Sequence, residues 1–295
     1  VKLAIGYFKL GKFLDAQIYA AKLLKLAPKK SVAYDIFGRI AYYKGNYKKS
    51  KKMLEKAVKL GSKNFYTNLT LGKIYWKHDK NILKAIQFFQ RAKKSYPSYV
   101  DKSNPYQILA LLYKTIGKKQ KAYEELESYL KLNGKDFKTR LNLGKEYFEQ
   151  KKYTKSLTLL EQAQDIYPLS LNLQNLLAKN YEHKKDWNNA IRAYNTILGM
   201  NPKKNKHEIY AKLALIYLKQ NKIEQARTHA RESLGFEPDF EKAKLILKKL
   251  KNTKKAPVKN RKETKNNKID IVIYETEDPA KLGKETVYVI ILQNT

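Results

Sequence analysis

Apolar residues recur along residues 1–250 at the three- and four-residue spacing of amphipathic α-helices. The helical stretches come in pairs, and a short polar turn such as Gly45-Asn46 or Lys185-Asp186 separates the two members of a pair. A proline follows the second stretch in several pairs and ends it, because proline cannot continue a helix. The pattern therefore predicts a series of helix–turn–helix units with no strand before residue 250.

The helix pairs are copies of one unit. Gly38 and Gly72 are 34 residues apart, as are Gly144 and Ala178, and each is a small residue where two helices must approach closely. A tyrosine stands three residues after the small residue in most copies, and an aromatic residue opens the second helix in several. Copies that follow the pattern closely are residues 31–64, 137–170 and 171–204.

These repeats resemble tetratricopeptide repeats, which share the same order of large, small, tyrosine, aromatic and proline positions. The resemblance covers residues 1–238 and implies an all-α fold, a right-handed superhelical α-solenoid of antiparallel helix pairs. We expect residues 1–252 to form this solenoid, with seven helix pairs, the first one truncated, and a terminal helix at 239–252 that covers the last pair. Val1 falls at the fifth position of a repeat, so we expect the sequence to be a fragment of a longer protein.

The composition changes after residue 252. Residues 253–268 are rich in lysine and lack an apolar period, which predicts a basic flexible linker. Residues 269–295 contain two β-branched runs, which predict an appended β-hairpin with strands 269–275 and 286–292 paired antiparallel. A hairpin of two strands is marginally stable in water, so we expect it to contact the solenoid, another chain or a further domain.

The chain carries 62 lysines and arginines against 27 aspartates and glutamates, which gives a net charge of +35. A field of this strength attracts polyanions and acidic proteins without choosing between them. Only seven of the positive residues are arginine, and lysine lacks the planar fork that contacts phosphates and bases bidentately. Compositional drift toward lysine is therefore an alternative to a functional role of the charge.

No residue pattern indicates catalysis. The sequence has no cysteine, its Gly-Lys pairs lack the upstream glycine of a phosphate-binding loop, and its four histidines lie far apart. We therefore expect no enzyme activity, no cofactor and no metal site. No apolar run reaches the roughly 20 residues that span a bilayer. We expect a soluble region in the cytoplasm or the periplasm, and membership of a longer membrane-anchored protein stays open.

The resemblance also implies where a partner would bind. In the family, the first helix of each pair lines a concave face, and the ninth repeat position points into it. In this sequence that position, and the one three residues later on the same helical face, supply basic and aromatic side chains. The candidate partner-binding residues are Arg39, Tyr42, Lys73, Trp76, Lys145, Phe148 and Lys179.

A basic row beside aromatic rings suits an extended segment with acidic and apolar side chains. We therefore predict a non-catalytic protein–protein interaction scaffold that binds an extended, acidic peptide or protein partner in a concave groove. Two alternatives stay open. The lysine-rich surface could bind a polyanion, either nucleic acid or an acidic polysaccharide, or the chain could be a structural assembly subunit that forms an oligomer through its terminal repeat or its hairpin.

Overall fold

A computed structural model of the protein describes residues 1–251, 269–275 and 288–294. Residues 1–251 consist of fifteen α-helices joined by short turns, with no strand among them. The all-helical architecture predicted from the repeats is confirmed for these residues. The chain divides into two compact units, residues 1–134 and a second unit that begins at Lys135.

The first unit contains eight helices. They are α1 (Lys2–Lys9), α2 (Phe13–Leu26), α3 (Ser31–Tyr43), α4 (Tyr47–Lys59), α5 (Phe65–Lys77), α6 (Ile82–Ser95), α7 (Pro105–Thr115) and α8 (Lys119–Leu132). Each odd-numbered helix packs against the helix that follows it, and each pair packs against the next pair. Because only residues 44–46 join α3 to α4, those two helices run antiparallel.

The second unit contains seven helices within residues 135–251. They are α9 (Phe137–Glu149), α10 (Tyr153–Gln164), α11 (Leu171–His183), α12 (Trp187–Gly199), α13 (Lys206–Lys219), α14 (Ile223–Phe236) and α15 (Glu241–Lys251). The terminal helix predicted at 239–252 corresponds to α15. It buries Ala243, Ile246 and Leu250 and packs against both α13 and α14.

The turn inside each pair needs one residue with a left-handed backbone. Gly45 has a φ of +74°, and glycine adopts this conformation without steric cost. Lys151 and Lys185 occupy the equivalent position with φ angles of +60° and +58°. That conformation costs a residue with a side chain about 1 to 2 kcal/mol, so glycine is favoured at this position but not required.

Close approach of the paired helices depends on the small residue in the first helix. A Cβ atom on Gly38 would lie 2.5 Å from the Leu54 side chain of α4, and one on Gly144 would lie 2.8 Å from the Leu160 side chain of α10. Leu54 and Leu160 are fully buried. The small residues that mark the period in the sequence therefore set the distance between the paired helices.

The tyrosine three residues later links consecutive pairs. Tyr75 donates a hydrogen bond to the carboxylate of Glu55 in the preceding pair, and Tyr181 donates one of 3.0 Å to Glu161 in the same way. Burial, reinforced by the hydrogen-bonded carboxylate, raises the pKa of both tyrosines above the usual range. These rings are core side chains, and they are not exposed platforms for stacking bases.

Two short strands follow the helices. β1 (Ile269–Glu275) pairs antiparallel with β2 (Tyr288–Asn294), with Ile269 opposite Asn294 and Glu275 opposite Tyr288. The second strand begins two residues later than the expected residue 286. The linker predicted at 253–268 lies outside the described residues, and the contacts of the hairpin stay a prediction.

Candidate binding groove

A groove with a volume of about 820 Å³ opens in the first unit between α1, α3 and the start of α5. These elements are the first helices of three successive pairs. Its walls are formed by Ile5, Phe8, Lys9, Gly11, Phe13, Val32, Asp35, Ile36, Arg39, Tyr43, Ser62, Asn64 and Tyr66. Apolar and aromatic side chains dominate this set, while one acidic and two basic groups supply the charge.

Arg39 is held between two aromatic rings on one wall of the groove. The central carbon of its guanidinium lies 4.2 Å from the centre of the Phe8 ring and 4.7 Å from that of Tyr66. One guanidinium nitrogen lies 3.6 Å from the Asp35 carboxylate, one helical turn earlier. The side chain keeps only 15% of its surface exposed. Arg39 is therefore a positioned cation rather than a freely moving one.

Asp35 offsets the charge of Arg39. The carboxylate is buried and accepts a hydrogen bond from the hydroxyl of Thr67 on α5. Burial raises the pKa of Asp35, while the Thr67 hydroxyl and the Arg39 charge act in the opposite direction. The groove thus contains a fixed ion pair next to an apolar wall, and Arg39 does not stand there as an isolated positive charge.

The other candidate residues of the first unit lie outside the groove walls. Tyr42 is half-buried and its ring packs edge-on against Tyr47. Lys73 is half-buried, and its pKa is lowered by burial and then by the like charge of Lys77. Trp76 packs edge-on against the buried Phe89 ring. These three side chains therefore contribute to packing at least as much as to an open surface.

The remaining three candidates belong to the second unit. Lys145 is exposed, and its ammonium lies 3.9 Å from the Glu149 carboxylate. Phe148 packs edge-on against Tyr153 and His183, in each case with ring centres 5.5 Å apart. Lys179 is exposed on α11. The seven candidates thus fall into two sets, one in each unit.

Several groove residues were not among the candidates. Asp35 and Tyr66 hold Arg39 in place, and Phe13, Val32 and Tyr43 widen the apolar wall. Counted within their repeats, Asp35 and Tyr66 occupy the fifth and the second positions. The sequence signal was an acidic residue four positions before Arg39, a spacing at which oppositely charged side chains pair on a helix.

Comparison with known families agrees with the repeat geometry. The profile of the tetratricopeptide repeat matches residues 37–100, 103–136, 141–205 and 207–240, which together form more than half of the chain. The chain belongs to the tetratricopeptide repeat family. Such repeats generally mediate protein–protein interactions, so membership of the family supports a general role in protein binding.

Individual relatives of this tetratricopeptide repeat protein are distant. BBSome complex member BBS4 of Bos taurus is 29% identical over 177 residues, which are 59% of this chain and 32% of that protein. The chain therefore spans about a third of the length of that relative.

Solved structures are also similar to this tetratricopeptide repeat chain. The C-terminal part of a TPR repeat-containing protein from Cytophaga hutchinsonii is 19% identical, covers 83% of this chain and 98% of that one, and has a TM-score of 0.46. YrrB, described as a TPR protein with an unusual peptide-binding site, is 13% identical, covers 78% of this chain and 97% of that one, and has a TM-score of 0.41.

Two other features are absent from the residues that the structure describes. Among the residues that the structure describes, no three histidine or acidic side chains come together as a metal site would require. No helix of that part of the chain combines the length and the apolar character needed to cross a bilayer.

Proposed function

We propose that this chain is a non-catalytic interaction scaffold that holds an extended segment of a protein partner in the groove of residues 1–134. The observation that carries the proposal is the groove itself, where an apolar wall adjoins a positioned guanidinium. A concave, mostly apolar site with a few fixed polar groups is the usual form of a binding pocket. Catalysis forms no part of the proposal.

The two parts of the groove suit different parts of a bound segment. Phe8, Phe13, Val32 and Ile36 supply apolar surface on which one side chain of the partner can be buried. Arg39 has five N–H donors and lies 3.6 Å from Asp35, and in this proposal the donors that Asp35 does not engage bind the ligand. Because Asp35 balances the charge, these donors suit a main-chain carbonyl oxygen as well as a carboxylate.

We also propose that the partner is acidic around this anchor. Lys73 lies half-buried with Lys77 four residues away, and burial together with the positive charge of Lys77 lowers the pKa of Lys73. A carboxylate of the partner placed between them would relieve that repulsion. In the second unit, Lys145 and Lys179 are exposed and would attract acidic residues of the partner, while Phe148 would supply apolar surface. We propose further that the helix pairs wind into a right-handed superhelix. The C-terminal hairpin would make a second contact with the partner.

Two tyrosines of nearly equal surroundings allow a controlled test of the groove. Tyr66 is 44% exposed and Tyr96 is 45% exposed, and both pack edge-on against the same Phe65 ring, at 5.0 and 5.6 Å. Only Tyr66 lines the groove and covers Arg39. Tyr66→Ala should therefore weaken binding of a groove ligand, whereas Tyr96→Ala should leave it unchanged.

The ligands for this test would be peptides selected on the full chain from a random-sequence display library. Fluorescence anisotropy of the labelled peptides should show a loss of roughly tenfold or more for Tyr66→Ala, the usual effect of truncating an aromatic anchor. Equal losses for both variants, or none for either, would place binding outside the groove. Selection of peptides without acidic residues would contradict the acidic partner but not the groove.

A further inference from the structure

The positive charge of the chain is concentrated in one part of the repeats. Residues 27–100 contain eighteen lysines and arginines against three carboxylates, whereas the adjoining residues 101–134 contain six against four. Compositional drift toward lysine would affect all repeats of one protein to a similar extent. The two segments differ mainly in their carboxylates, three in 74 residues against four in 34, so the excess in residues 27–100 is a local property that drift toward lysine does not explain by itself.

Contacts within the protein already occupy the three carboxylates of this segment. Asp35 pairs with Arg39 and accepts a hydrogen bond from Thr67, as described above. Glu55 accepts a hydrogen bond from the hydroxyl of Tyr75, and Asp79 forms an ion pair with Lys51. Asp35 and Asp79 are thus balanced by Arg39 and Lys51, whereas Glu55 keeps its charge. Glu125, outside the segment, pairs with Lys93, and most of the remaining lysines are exposed.

Part of this charge forms a row on the outer side of α4. Its members are Lys48, Lys49, Lys52 and Lys59, which we call the α4 lysine row. At 100° per residue they lie within an arc of about 100°, opposite the buried Ser50, Leu54 and Ala57. All four are exposed, and within the described residues no carboxylate forms an ion pair with any of them. Lys56 lies in the same arc, with its ammonium 4.4 Å from the centre of the Tyr34 ring.

The composition of the row argues against a protein partner at this surface. The only aromatic residue of α4 is Tyr47, which is half-buried and stacks on His78 at 3.6 Å. No apolar side chain of α4 is exposed. Protein interfaces are depleted in lysine and depend on buried aromatic or aliphatic anchors, and α4 offers none outward. Insertion into a membrane would likewise need apolar side chains that this face lacks.

The α4 lysine row provides what binding to a phosphate backbone requires, which is several positive charges spaced along one face of a helix. Lysine contacts phosphate as a point charge, and lysines four residues apart are separated by about 6 Å along the helix axis. Duplex nucleic acid presents one negative charge for about every 1.7 Å of its axis, so it can engage several members of the row together. Without arginine forks or exposed rings, the row has no means of recognising base edges or of stacking on bases.

We propose that the α4 lysine row binds the phosphate backbone of duplex nucleic acid without recognising its sequence. This surface lies outside the groove, because none of its members lines that cavity. The proposal therefore does not depend on the peptide-binding function. A scaffold of this kind would bring the partner held in the groove close to nucleic acid.

The test compares two variants of the full chain that remove equal charge. One replaces Lys48, Lys49, Lys52 and Lys59 with glutamine, and the control replaces Lys184, Lys203, Lys204 and Lys222, which are also exposed. The probe is a labelled DNA duplex of about 20 base pairs, long enough to cover several phosphate contacts. Its affinity is measured by fluorescence anisotropy over a range of salt concentrations. Circular dichroism would verify that both variants stay helical.

Loss of the row should lower the slope of log affinity against log salt by up to about 3 to 4, at roughly 0.9 for each lost phosphate contact. The control variant should bind as the unchanged chain does, and duplexes of different sequence should bind equally. Equal losses in the two variants would show that only total charge matters and would overturn the proposal. So would stronger, row-dependent binding to acidic lipid vesicles or to an acidic polypeptide than to the duplex.

Discussion

Replacing Gly38 with alanine should destabilise the first unit. The new methyl group would lie 2.5 Å from two carbons of the Leu54 side chain, whereas non-bonded carbon atoms prefer about 3.5 to 4.0 Å. Leu54 is fully buried between packed helices and has little room to move. Overpacking of this kind costs about 1 to 3 kcal/mol. Alanine recovers about 1 kcal/mol through its higher helix propensity, so we expect a net loss of between about 0 and 2 kcal/mol.

Gly6 provides the matched control. It also lies inside a helix of the first unit, but a Cβ atom there would meet nothing within 4 Å. Gly6→Ala therefore has the propensity gain without the clash, and it should stabilise the unit by about 0.5 to 1 kcal/mol. Replacement of glycine by alanine is thus expected to lower the stability of the first unit at position 38 and to raise it at position 6.

The assay is urea unfolding followed by tryptophan fluorescence. The chain has two tryptophans, Trp76 in the first unit and Trp187 in the second, so a Trp187→Phe background leaves a signal from the first unit only. The Gly38→Ala midpoint should fall and the Gly6→Ala midpoint should rise. A Gly38→Ala variant stabilised as much as Gly6→Ala would refute the reasoning, because the Leu54 side chain would then accommodate the added methyl group without cost.

Two further predictions concern single hydrogen-bonding and titrating groups. Tyr75→Phe removes the hydroxyl that donates a hydrogen bond to Glu55. The free energy of unfolding of the first unit should therefore fall by about 1 kcal/mol, seen as a lower urea midpoint. An unchanged midpoint would contradict the proposed link between consecutive helix pairs. His229 stacks between Tyr210 and Tyr217, and burial lowers its pKa below 6.5, with Glu232 acting weakly in the opposite sense. The unfolded chain then binds the proton more readily, so stability should fall as the pH drops below about 6.5, and His229→Gln should reduce the difference between midpoints at about pH 7.5 and pH 5.

The helical fold could be predicted from the sequence because it is fixed by local, periodic signals. The 34-residue spacing of Gly38 and Gly72 placed the small residues where the helices meet, and the structure shows that a Cβ atom at either position would crowd the side chain of the second helix. Each repeat contacts mainly its neighbours, so a pattern within one unit is enough to specify the whole series. The division after residue 134 is not visible in this pattern, because the repeat continues across it.

The candidate site was only partly predictable. The ninth repeat position led to Arg39 and to the first helices, and Arg39 does line the groove. The same rule selected Lys73, which is half-buried, and Lys145, which lies near Glu149. Position within a repeat indicates which face a residue occupies, but it does not indicate which neighbours neutralise or cover it.

The sequence by itself determined the repeat, the helix pairs and the large positive charge. Only the tertiary structure decided where that charge is available. Arg39 is balanced by Asp35 and covered by the rings of Phe8 and Tyr66, which lie 31 residues before it and 27 residues after it in the chain. No member of the α4 lysine row forms an ion pair, although Glu55 lies beside the row on the same helix, where it accepts a hydrogen bond from Tyr75. Such contacts depend on how adjacent helices pack, and for that reason a list of residues cannot distinguish a neutralised cation from a free one.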